Sequence, residues 1–84
     1  MPLADVVRDG LDRVSTAADK RQVAITVEPI DPALDVEGDR TQLVAVVANL
    51  LDNAVKYSDE GGDVRVAAHA RDGAVEIEVE DHGP

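Results

Sequence analysis

The run Asn49-Leu50-Leu51-Asp52-Asn53-Ala54-Val55-Lys56-Tyr57-Ser58 decides how this 84-residue chain is read. At about 100° per residue on a helix, Asn49, Asn53, Lys56 and Tyr57 fall within an arc of roughly 100°. Leu43, Val47, Leu50, Leu51 and Ala54 take the adjoining arc, the one a core would cover. The polar arc holds two neutral amides, an amine and a phenol. A merely solvated face more usually carries Glu, Lys and Arg. Amide oxygens beside an ammonium suit a hydrated metal ion and phosphates. Tyr57, the sole aromatic, is also valuable as packing.

Outward from this run, Asp39 begins the helix. Its carboxylate can accept from the free N–H groups of the first turn, and Gln42 three residues later makes a capping box. The helix should run from Arg40 to about Tyr57, with Ser58-Asp59-Glu60-Gly61-Gly62 as its exit.

Downstream, Val64, Val66, Ala68 and Ala70 alternate with Arg65, Ala67, His69 and Arg71. Asp72-Gly73 is a hairpin signal, and Val75, Ile77 and Val79 then alternate with Glu76, Glu78 and Glu80. A two-residue turn pairs His69 with Glu76 and Arg65 with Glu80 on an outer face. It pairs Val66 with Val79 and Ala68 with Ile77 on an inner one, so both faces agree. The glutamate row reads as a solvated strand face, with His69 its cross-strand partner. The same parity puts Asp81 on the inner face, where a carboxylate is costly unless something donates to it.

Upstream, apolar residues at three- and four-residue steps predict a helix from Pro2 to Gln22. Gly10 inside it costs roughly 0.5–1 kcal/mol relative to Ala. Val23 to Glu28 alternates with period two and predicts a half-buried strand closed by Pro29. The turn-rich stretch from Ile30 to Gly38 should hold a short extended piece, Leu34 to Val36.

Composition bounds what such a chain can do. Its length allows one small domain with a thin core of Val, Leu, Ile and Ala, since it has no Phe or Trp. The formal charge of -10, from 18 acidic and 8 basic residues, repels nucleic acid and anionic membrane. A polyphosphate remains acceptable if Mg²⁺ travels with it. The absence of cysteine excludes disulfide and thiolate chemistry. With no signal-peptide pattern and no long apolar run, the expected location is the cytoplasm.

These residues together resemble the catalytic, ATP-binding domain of sensor histidine kinases, in the superfamily that joins gyrase, Hsp90, histidine kinases and MutL. Residues 39–43 followed by 49–58 look like the approach to that family's N box and the box itself. Val75 to Gly83, ending Glu80-Asp81-His82-Gly83, looks like the start of its first glycine box at 81–83. The resemblance implies an α/β fold of the Bergerat type: an α+β two-layer sandwich, truncated, in the order helix, strand, short strand, helix, β-hairpin. Residues 1–84 then form a single partial domain, the N-terminal half of the ATP-binding domain.

Roles follow by resemblance. Asn53 is implied as a Mg²⁺ ligand, and Asn49 one turn earlier assists at the metal or the phosphates. Lys56 reaches a phosphate, Tyr57 packs on adenine or ribose, Asp81 accepts from the adenine amino group, and Gly83 lets the backbone approach the base. Relatives that hydrolyse ATP place a glutamate general base where this chain has Asn49, an amide that takes no proton. The implied activity is presentation of the ATP γ-phosphate to a phosphoacceptor histidine domain, with a response regulator downstream. No acceptor histidine is present: His69 precedes Ala70 in a strand and His82 precedes Gly83. The segment alone should therefore neither bind ATP tightly nor transfer phosphate. Alternatives are a catalytically dead interaction module, oligomerising through an open sheet edge, and an anti-sigma-factor-type kinase.

Overall fold

A computed structural model describes the backbone of residues 1–72 and 74–82, and side chains as far as Glu80 apart from residue 73. Its elements are α1 (Leu3–Lys20), β1 (Ala24–Val27), α2 (Arg40–Tyr57), β2 (Asp63–Arg71) and β3 (Ala74–His82). The sheet order is β1-β2-β3. β1 and β2 are parallel, joined through α2, whereas β2 and β3 form an antiparallel hairpin. α1 packs on α2 and β1, and α2 packs on β3. This is the expected two-layer α+β arrangement.

The hairpin register is the predicted one: Arg65 faces Glu80, Val66 faces Val79, Ala68 faces Ile77 and His69 faces Glu76. Arg71 pairs with Ala74, and Asp72 takes a positive φ of 51° in the connection. Val64 and Val66 are fully buried while Arg65 between them is exposed, so the inner face meets the helices.

α2 occupies the predicted span. Asp39 accepts from the backbone N–H of Thr41 and Gln42 at 2.8 and 3.3 Å, which satisfies two of the first turn's free donors. Its buried stripe, however, is turned from the expected arc. Val44, Val47, Leu51 and Val55 are buried, whereas Leu50 is 42% exposed and Leu43 and Ala54 are half-buried. The reason is the contact with α1. Val47 seats against Gly10, where a Cβ would lie 2.6 Å from Val47 Cγ1. That close approach centres the stripe on Val47 and Leu51, and it explains a glycine inside α1.

α1 ends at Lys20, two residues before the expected boundary. Gln22 adopts a left-handed φ of 56°. Its N–H donates to Asp19 O, and Val23 N–H donates to Ala18 O at 2.9 Å. This Schellman closure satisfies the last carbonyls with a glutamine where glycine is usual.

The expected short strand over 34–36 is a single antiparallel bridge, Pro2 to Asp35. Leu3 N–H donates to Leu34 O, and Val36 N–H donates to Met1 O. The pairing stops there because α1 begins at Leu3 and the Leu34 N–H turns to Asp31 O instead of back to Leu3.

Candidate functional site

Asn49, Asn53, Lys56 and Tyr57 all lie exposed on one face of α2. Tyr57 is 80% exposed, so its ring contributes nothing to the core. Val46, 55% exposed, and Leu50 border the same face. At about 100° per residue, Val46 falls between Asn53 and Tyr57. The face thus combines amide oxygens, an ammonium and a strip of uncovered apolar surface. Sequence reasoning placed Leu50 in the core and passed over Val46. Among the described residues Lys56 makes no ion pair, which leaves its ammonium available to an anion.

The C-terminal end of this face is pinned from outside the helix. Arg21, just past α1, donates from Nε to Val55 O at 3.1 Å and from Nη2 to Ser58 O at 2.8 Å. The Val55 carbonyl belongs to the last turn, where acceptors lack helical partners and carry the negative end of the dipole, and Ser58 is the capping residue just past it. Lys56 and Tyr57 lie between the two anchored residues, and Ser58 beside them is buried. No local signal marks Arg21, which stands 34 residues from Val55 in sequence.

The N-terminal end is tied to α1 by an ion pair between Arg40 and Asp9. The hydrogen bond from Arg40 holds the Asp9 carboxyl below its ordinary value, and Asp9 in turn raises Arg40.

Asp81 has a backbone position only: it is the register partner of the fully buried Val64, in the strand that α2 packs against. Its side chain and Gly83 lie outside the described residues. Of the six sequence-derived positions, the structure brings four onto one helix face and places a fifth by backbone alone.

Residues 38–84 match the family of histidine kinase-, DNA gyrase B-, and HSP90-like ATPases. The chain belongs to that family. With the relatives that follow, it is sequence of a histidine kinase ATP-binding domain. The sensor protein BasS of Escherichia coli (strain K12) is 37% identical over 82 residues, covering 98% of this chain and 22% of BasS. The sensor histidine kinase component HK1 of Mycobacterium tuberculosis (strain ATCC 25618 / H37Rv) is 40% identical over 85 residues, covering 100% of this chain and 46% of HK1. The chain therefore spans between about a fifth and about half of these relatives. Among solved structures, the catalytic domain of histidine kinase ThkA superposes with a TM-score of 0.86 at 25% identity, covering all of this chain and 57% of that one. ThkA has also been solved in complex with response regulator protein TrrA, where the TM-score is 0.84 at 25% identity over 100% of this chain and 25% of that one.

The donor set of this histidine kinase sequence fits a magnesium nucleotide. Mg²⁺ takes oxygen ligands and keeps several waters. The Asn49 and Asn53 carboxamides supply neutral oxygens at an exposed face, without a cage that would strip those waters. No helix of the described residues is long and apolar enough to cross a membrane.

Proposed function

We propose that this chain supplies the N-box half of the nucleotide site of a bacterial two-component sensor histidine kinase, and that α2 presents the Mg²⁺-ATP-binding face. The supporting observation is the exposure, on one side of a helix pinned at both ends, of Asn49, Asn53, Lys56 and Tyr57. Mg²⁺, when bound, neutralises phosphate charge and fixes its geometry. Asn53 holds it through its amide oxygen, with Asn49 one turn earlier. Lys56 gives a point charge to a phosphate. Tyr57, Val46 and Leu50 offer apolar surface to the base or ribose. Asp81 and Gly83 complete the adenine end.

The same residues argue for phosphotransfer over hydrolysis. Asn49 stands where hydrolytic relatives hold a general base and cannot take a proton. Asp52 lies about 100° around the helix from Asn53, outside the arc that holds the amides, Lys56 and Tyr57. The γ-phosphate is then offered to an acceptor histidine on another domain, and the response regulator receives it in turn. The role belongs to the intact, cytoplasmic part of the kinase; the 84-residue segment alone binds nucleotide weakly and transfers nothing.

Titration of the natural full-length protein with Mg²⁺-ATP tests the reading. Asn53→Ala should weaken binding at least tenfold while leaving the fold unchanged by circular dichroism. Undiminished affinity in that variant overturns it.

A further inference from the structure

On the sheet face turned away from the helices, His69 of β2 and Glu76 of β3 are register partners, and Glu78 lies two residues along on the same face. His69 Nε2 is 3.3 Å from Glu76 Oε2 and 3.8 Å from Glu78 Oε1. One donor atom from each of the three lies within 4.8 Å of the others. Two ligands of a tetrahedral Zn²⁺ with bonds of about 2.0–2.1 Å sit about 3.4 Å apart. The first pair already has that spacing, the second needs a few tenths of an ångström from the exposed Glu78 side chain, and the two carboxylates, within 4.8 Å of each other, must draw closer still.

A simple cross-strand ion pair would use one carboxylate; here two converge on a single imidazole nitrogen. Arg71 approaches the opposite oxygen of Glu76, Oε1, at 4.0 Å, so Oε2 is the one turned to the histidine. The hairpin backbone fixes all three stems, which limits the ordering cost of closing on an ion. One imidazole and two carboxylates suit Zn²⁺ better than Mg²⁺, whose preference is for oxygen alone. Three protein ligands leave a fourth position for water, and the charge of -10 favours any cation.

We propose that His69, Glu76 and Glu78 form a Zn²⁺ site on the outer face of the β2–β3 hairpin, distinct from the nucleotide face. The ion clips the two strands together and stabilises the sheet by mass action.

Calorimetric titration of the metal-free 84-residue chain with ZnCl2 is the test, with circular dichroism confirming each variant's fold. Wild type and His82→Ala should each bind one Zn²⁺ and gain thermal stability from it. His69→Ala should bind at least tenfold more weakly, and Glu78→Gln more weakly than wild type. Excess MgCl2 should not displace the ion. Absence of binding by the wild type, or binding unaltered by His69→Ala, overturns the proposal.

Discussion

Val47 rests against Gly10 so closely that a methyl group on Gly10 would meet Val47 Cγ1 at 2.6 Å and the Ala48 backbone nitrogen at 3.2 Å. This contact sets the rotation of α2 about its axis and, with it, which side chains remain outside. Gly10→Ala gains about 1 kcal/mol in helix propensity but forces apart a packed crossing at about 1–3 kcal/mol. The expected result is net destabilisation, read as a lower urea midpoint. Adding Val47→Ala should recover part of the overpacking loss, so the pair will be non-additive. A Gly10→Ala chain more stable than wild type would contradict the seating.

Gln22 occupies a left-handed backbone position that costs an L side chain roughly 1–2 kcal/mol relative to glycine. Gln22→Gly relieves that and adds unfolded-state entropy. A rise of about 0.5–1 kcal/mol in unfolding free energy is expected, and Gln22→Val should lower it.

Asp9 is held below its ordinary carboxyl value by Arg40, so the pair contributes above that value and is lost as pH falls through the folded-state one. At about pH 7 Asp9→Asn should unfold at lower urea than wild type. The two curves should converge below about pH 3.8, the unfolded reference. Because both partners are solvent-accessible, the gap should also shrink in high salt.

Arg21 carries the last turn of α2 on its guanidinium. Arg21→Ala should cost about 1 kcal/mol and should speed amide hydrogen exchange over residues 55–58 far more than over 44–48. Arg21→Lys, which cannot reach two carbonyls with a planar fork, should resemble the alanine variant. Uniform acceleration along α2 would mean the anchor is not local.

Much of this architecture is legible in the amino-acid order because the decisive signals are local. Alternation across Asp72-Gly73 fixes the hairpin register, and Asp39 marks where α2 begins. What escaped depends on contacts distant in sequence. The core stripe of α2 follows from Gly10, and the exposure of Leu50 follows from that stripe. A Schellman turn closed by glutamine carries no glycine to announce it. The grip of Arg21 on Val55 and Ser58 joins segments that have no common motif. At the site, helical spacing was enough to group Asn49, Asn53, Lys56 and Tyr57, but not to reveal Val46 beside them. The outer-face histidine and its glutamates read as mere alternation, since distances between side-chain tips are invisible in a period of two.

The most direct test of the nucleotide face is heteronuclear NMR of the isotopically labelled 84-residue chain, titrated with Mg²⁺-ADP into the millimolar range. The account predicts shifts concentrated on residues 46–57, the Asn49 and Asn53 side-chain amides foremost, and their loss in Asn53→Ala. Shifts confined to α1 or to the outer sheet face, or a spectrum unchanged at saturation of the titrant, would contradict it.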